Sequence, residues 1–138
     1  MLPLAIPNLA KKHILVVEDE PLLRRLLCQL LERLDYNVTT AANGREGIER
    51  YREQESDLVI TDLFMPEMDG LELIQKLSAE FPDARIIAMS GASTCVDLLS
   101  QARRLGARHT FAKPFDTEEF ISVIQEELSI AVSAINRP

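Results

Sequence analysis

No apolar run in this sequence approaches the roughly 20 residues that a membrane-spanning helix needs, so a helical membrane protein is excluded. Basic residues are the minority: 15 Lys and Arg stand against 22 Asp and Glu, a net charge of −7, with a pI near 4.8. Nucleic-acid binding rests on neutralising phosphates with Lys and Arg, so this balance argues against DNA or RNA as a direct partner. Cysteine is scarce. Cys28 and Cys95 fall in segments of helical pattern without metal-ligand spacing, which reads as free thiols in a reducing cytosol. The apolar first ten residues lack a basic start and are broken by Pro3 and Pro7. Residues 1–11 therefore read as a flexible leader, not a signal peptide. No linker, internal repeat or low-complexity tract interrupts the remainder.

What is present is the composition of an ordinary globular domain, 46% hydrophobic and 27% charged over 138 residues. That is one domain with enough chain for a core without disulfide or metal staples. Strand and helix patterns alternate five times. The run 13–17 is continuously apolar, as in a strand buried on both faces, and Pro21 opens a leucine-striped helix over 22–34. A β-branched strand at 37–41 precedes Asn43-Gly44 and a charged amphipathic helix to about residue 54. Strand 58–61, a loop, helix 71–80, strand 85–89 and helix 95–105 follow, the last stopped by Gly106. Strand 108–112 comes next, and Asp116, with Glu119 three residues on, forms a capping box for a final helix reaching about residue 135. Alternation of this kind implies an α/β fold, a parallel sheet covered on both faces by right-handed crossovers. The expected architecture is a flavodoxin-like (βα)5 doubly wound five-stranded sheet of order 2-1-3-4-5. The domain occupies 12–130, and 131–138 finish the last helix and tail.

Three acids fall where strands end. Glu18 and Asp19 close the first strand and Asp62 the third, while Lys113 ends the fifth and Ser90 lies at the end of the fourth. Ligands of open parallel sheets bind beyond the carboxyl ends of the strands, where strand order reverses. With order 2-1-3-4-5 the first and third strands are neighbours, which gathers Glu18, Asp19 and Asp62. Acids so placed resist ionising together unless a cation sits among them, and an all-oxygen set on a tight site suits Mg²⁺. An Asp carboxylate can attack phosphorus to give an aspartyl phosphate, in a transfer governed by positioning and charge neutralisation. Asp62 as acceptor, a metal, Lys113 and the Ser90 hydroxyl make a sufficient kit. Taken singly, each residue has an ordinary reading: the acids as caps or turn residues, the lysine as surface charge, the serine as part of a turn. Their convergence on one sheet edge is what carries chemistry.

Four blocks, Ile14 to Glu20 (ILVVEDE), Asp62 to Gly70 (DLFMPEMDG), Ser90-Gly91 and Lys113-Pro114-Phe115, resemble a response-regulator receiver domain, the phosphoacceptor half of two-component signalling. The resemblance covers about residues 12 to 130. It implies that Asp62 takes phosphate from a sensor histidine kinase or phosphotransfer protein. It also implies that Asp19 holds Mg²⁺ directly, Glu18 through water, with Asp62 and the Phe64 backbone carbonyl as further ligands. Lys113 would pair with the phosphate, Ser90 would swing in to bond it, and the Lys113-Pro114 bond would be cis. Two departures stand out. Thr110 occupies the place three before the lysine where receivers usually carry an aromatic ring, and Phe111 beside it faces the other way by strand alternation. Phe64 and Ala92, two past Asp62 and two past Ser90, are apolar where many receivers are polar.

The alternatives are weaker. An FMN site wants Ser, Thr or Gly after the first strand, where Glu18, Asp19 and Glu20 would repel a phosphate. An Asp-nucleophile phosphatase wants a second Asp two residues on, where Phe64 and Pro21 stand, and no GxxxxGK[ST] loop is present. The chain is therefore expected not to be a dedicated enzyme beyond Mg²⁺-dependent self-phosphorylation and autodephosphorylation. A phosphorylation-independent binding module has only Thr110 in its favour. The expected protein is cytoplasmic, either a stand-alone regulator or a receiver fragment of a longer regulator with an output domain. It would signal by protein contact through the face of helix four, strand five and helix five. Arg103, Arg104, Arg108 and His109 form a basic cluster near that face.

Overall fold

The computed structural model describes residues 11–65, 67–91 and 95–136. Residues 1–10 of the expected leader, Pro66 and Ala92 lie outside the described residues, as do the side chains of Cys95, Val96 and 130–136. The elements are β1 (His13–Val17), α1 (Pro21–Arg33), β2 (Asn37–Ala41), α2 (Gly44–Glu53), β3 (Leu58–Asp62), α3 (Gly70–Glu80), β4 (Ile86–Ser90), α4 (Cys95–Leu105), β5 (His109–Ala112) and α5 (Thr117–Asn136). All five strands pair in parallel in the order β2-β1-β3-β4-β5, as the sequence pattern predicts. No helix among the described residues is long and apolar enough to cross a membrane.

The central strands are mostly apolar because both faces of the sheet are covered. Leu15, Val17, Val59, Ile86 and Ala88 point to one side, against Ile48 and Tyr51 of α2, Leu73, Ile74 and Leu77 of α3 and Ala102 of α4. Ile14, Val16, Leu58, Ile60, Ile87, Met89 and Phe111 point to the other, against Leu27 and Leu31 of α1 and Phe120, Ile124 and Leu128 of α5. Strands β3 and β4 each run one residue further than the apolar pattern reads, ending on Asp62 and Ser90 themselves. The ladder pairs backbones regardless of side-chain polarity, and Asp62 lies opposite Met89, Ser90 opposite Ala112. The functional side chains thus sit on the last ladder positions.

Helix ends follow local chemistry. Glu20 caps α1 by accepting from the N–H groups of Leu22 and Leu23, and Pro21 takes the first helical position, where a missing N–H costs nothing. Asn43 and Asp69 cap α2 and α3. Asp116 Oδ1 accepts from Glu118 and Glu119 N–H at 2.8 and 3.2 Å. A return bond from the Glu119 carboxylate is not among the hydrogen bonds of the described residues, so half of the expected capping box forms. Gly106 ends α4 at φ +136°, as its left-handed tolerance predicts. At Gly70 a side chain is impossible for a different reason: a Cβ there would press on the Asp62 carbonyl oxygen and lie 2.6 Å from Leu63 Cα. Helix α3 is therefore seated directly on the backbone of β3's end.

Two members of the basic cluster read from the sequence share one buried partner. Arg108 and His109 are not free surface charge. Arg108 Nε donates to Glu127 Oε1 at 2.6 Å, Arg85 Nη1 to the same oxygen at 3.1 Å, and His109 Nε2 lies 2.8 Å from Glu127 Oε2. Glu127, on α5, is 2% exposed, so this network pins α5 to the starts of β4 and β5. Periodicity marks Glu127 only as a polar residue beside Leu128, which is why the pairing was hidden.

Burial pushes the Glu127 carboxyl up, but hydrogen bonds from His109, Arg108 and Arg85 outweigh it and hold it below the usual range. Its stabilisation is therefore fully present above the ordinary glutamate pKa of 4.5 and is lost as pH falls through the lowered value. We predict that Glu127→Gln costs about 2 kcal/mol at pH 7, a buried network broken but with Arg108 partly in water. The gap between wild type and variant should narrow by pH 3, as read by urea unfolding. A gap that does not change with pH would contradict this assignment.

Candidate functional site

The β1–β3 neighbours deliver the acids to one place. The Glu18 N–H donates to the Ala41 carbonyl at 3.0 Å, which extends the β1–β2 ladder by one residue and fixes the Glu18 backbone. Its carboxylate is buried: Oε2 accepts from the Glu20 N–H at 3.1 Å and Oε1 from Lys113 Nζ at 3.1 Å. Asp62 is 5% exposed. Its Oδ1 accepts from the Leu63 N–H at 3.0 Å and lies 3.5 Å from Lys113 Nζ. Glu18, Asp19 and Asp62 each offer a carboxylate oxygen within 4.8 Å of the others. This is the one such group of potential metal ligands among the described residues.

Lys113 reaches in from β5 because its own N–H donates to the Ser90 carbonyl at 2.8 Å, locking the ends of β4 and β5 together. The Lys113-Pro114 bond is cis. Ser90 is fully buried and its hydroxyl has no hydrogen-bond partner among the described residues. Buried hydroxyls are nearly always satisfied, so an orphan beside Lys113 marks a place where a polar ligand group belongs. Phe64, two residues past Asp62, is 57% exposed.

The site carries too little positive charge for its acids. Three carboxylates face one ammonium, an excess of two negative charges. The strain shows in protonation. Burial pushes the Glu18 carboxyl up, and the Asp62 charge adds to it despite the Glu20 N–H and Lys113. Burial likewise raises Asp62, against the pull of Lys113 and the Leu63 N–H, with Asp19 pushing further upward. A divalent cation cancels this excess. The donor set, all hard oxygen and half-open through Asp19, is of the kind that small divalent cations prefer.

Thr110 pairs with Ala88 in the ladder and is half-buried, on the α4 side of the sheet. Phe111 is 7% exposed on the opposite side, packed against Phe115 at a tilt and against Phe120 edge-to-face, at centroid distances of 5.7 and 5.2 Å. It is a core residue, as strand alternation predicts. One contact at the site escaped the sequence reading: Arg24 Nη1 donates to the Glu18 carbonyl at 2.7 Å. Its position on the first turns of α1, just past the acids, was the available signal.

The response regulator receiver domain family matches residues 14–125 of this chain. The transcriptional regulator NtrC of Azospirillum brasilense is 38% identical over 84% of the chain, which spans only 24% of that protein. The response regulator receiver protein CpdR of Brucella abortus is 36% identical over 87% of the chain and 99% of its own length. The structure also resembles that of the response regulator TrrA of Thermotoga maritima in complex with Mg²⁺–BeF, with a TM-score of 0.76, 33% identity, and 84% and 98% of the two chains covered. The acid cluster at the β1–β3 switch point, the Lys113 opposite it and these matches together place this chain in the response regulator receiver domain family.

Proposed function

We propose that Asp62 accepts a phosphoryl group from a sensor histidine kinase or phosphotransfer protein, and that the resulting change is read by protein contact. One observation carries this reading: Asp62 shares its pocket with two other acids and with Lys113, beside the unpartnered hydroxyl of Ser90. Receiver domains accept phosphate rather than turn over a substrate, and here the self-phosphorylation and autodephosphorylation are the only chemistry assigned. Asp19 and Asp62, Glu18 through water and the Phe64 carbonyl would hold Mg²⁺. The cation supplies charge neutralisation at the transferring group. Lys113 leaves its Glu18 partner to pair with the phosphoryl oxygens, and Ser90 donates its hydroxyl to one of them.

The donor must bring its phosphorus to the open rim of the crevice. Leu22, Leu26 and Phe64 are large apolar side chains exposed at 60%, 52% and 57%. The two leucines lie one turn apart on α1, which follows the acids directly. This rim is the surface we assign to the phosphodonor. The downstream target is assigned to the α4–β5–α5 face, with no direct contact to nucleic acid. The functional unit spans 12–130, in the cytoplasm, alone or as the receiver part of a longer regulator.

Three outcomes test this. Incubation with acetyl phosphate should add one phosphate by intact mass, lost in EDTA and in Asp62→Asn. Full labelling of that variant contradicts the assignment. Second, Ser90 can bond the phosphoryl group in only one of its two positions, which is the differential interaction that a population shift needs. With Thr110 too small to act as an aromatic rotor, NMR shifts on beryllofluoride binding should centre on Ser90, Gly91 and the loop after it. A pattern that survives Ser90→Ala refutes this. Third, hydrolysis needs a water held in line, and neither Phe64 nor Ala92 can hydrogen-bond one. The exposed Phe64 ring is not folded into the core, so it is free to shield the phosphorus. Phe64→Asn should lose phosphate several-fold faster with Mg²⁺ in excess, and an unchanged or slower rate shows that the ring is no guard.

A further inference from the structure

The contact from Arg24 to the Glu18 carbonyl is not used by the phosphoacceptor reading. It runs at 2.7 Å from the second turn of α1 back to the end of β1. The carbonyl of Glu18 and the N–H and Cα of Asp19 belong to one planar peptide unit. Whatever fixes that carbonyl therefore fixes the direction in which Asp19 leaves the strand. Every other part of this corner has its own anchor. The Glu18 N–H is held by Ala41 and the Glu18 carboxylate by Glu20 and Lys113. The Asp19 carboxylate takes part in none of the hydrogen bonds among the described residues, so its aim depends on the peptide plane behind it.

We infer that Arg24 is a positioning residue for the divalent-cation site: its guanidinium locks the Glu18–Asp19 peptide and so aims the Asp19 carboxylate at Glu18 and Asp62. The inference rests on the reading of that acid cluster as a cation site. Arginine suits the task because its planar donors are rigid and weakly hydrated, and a charge-assisted bond to a carbonyl is stronger than a neutral one. The side chain is half-buried, whereas its neighbour Arg25 is exposed and takes part in none of those hydrogen bonds. Arg24 does not touch the ligand space itself. Its effect is transmitted through one peptide, in the manner of the outer-shell partners that orient metal ligands.

The test uses the full chain and Mg²⁺ alone, with no phosphodonor and no partner protein. Mg²⁺ affinity is measured by calorimetric titration, and thermal unfolding is recorded in EDTA and in saturating Mg²⁺. Arg24→Met should weaken Mg²⁺ binding by about tenfold, the lower end for loss of an outer-shell partner, while Arg25→Met stays within twofold of wild type. A brace with only a structural role would lower the unfolding temperature in EDTA and leave the affinity alone. That result, or an Arg24→Met affinity within twofold of wild type, overturns the inference. If Arg24→Met does not fold, Arg24→Gln, which is too short to reach the carbonyl, is judged by the same criterion. A wild type that fails to bind Mg²⁺ overturns instead the cation-site reading beneath it.

Discussion

Like charges crowded into a buried crevice repel unless something cancels them, and this domain crowds three carboxylates around one ammonium at the ends of β1 and β3. Much of the surrounding structure holds that arrangement in place. The ladder positions of Glu18, Asp62, Ser90 and Lys113 tie each group to a central or adjacent strand. Gly70 lets α3 close on the backbone of Asp62, and Arg24 holds the peptide that carries Asp19. A crevice held this rigidly does not relax its repulsion by spreading the acids apart. It can relax by taking up protons, which the raised Glu18 and Asp62 reflect, or, under the proposed function, by binding a cation and then a phosphoryl group.

Under the proposed function, the switch that reads such an event would differ from one built on a moving aromatic ring. Thr110 is a small half-buried side chain over Ala88, and the ring next to it, Phe111, is packed into the opposite core by Phe115 and Phe120. What remains able to change partner is the Ser90 hydroxyl and the Lys113 ammonium. Away from the site, the Glu127 network holds α5 against the starts of β4 and β5. In this arrangement the part of α5 that packs on the sheet is anchored, so under the proposed function change at the site would pass through the end of β4.

Most of the fold was legible because the hydrophobic pattern states it directly. Uninterrupted apolar runs mark strands covered on both sides, and leucine spacing marks α1. The acids, serine and lysine were legible because strand-end position alone brings them together. What escaped was polar chemistry between distant segments. The ends of β3 and β4 were read one residue short because a run of apolar letters stops where a polar side chain begins, whereas the backbone ladder continues. Arg108 and His109 looked like surface charge because their partner, Glu127, is 19 and 18 positions away on another element. Arg24 is one of two adjacent arginines near the start of α1, and only the bond back to the Glu18 carbonyl distinguishes it from Arg25.

The folded domain crowds negative charge around Asp62 that a divalent cation would relieve. A carboxyl whose folded-state pKa is raised makes its ionised form unfavourable to the fold at neutral pH, and Lys113 keeps Glu18 as a partner if Asp62 loses its charge. Chemical unfolding at pH 7 of wild type and Asp62→Asn, each in EDTA and in saturating Mg²⁺, reads this directly. The account predicts that in EDTA the variant is the more stable of the two, and that Mg²⁺ stabilises wild type more than the variant. A variant less stable than wild type in EDTA, or an equal gain from Mg²⁺ in both, would contradict it.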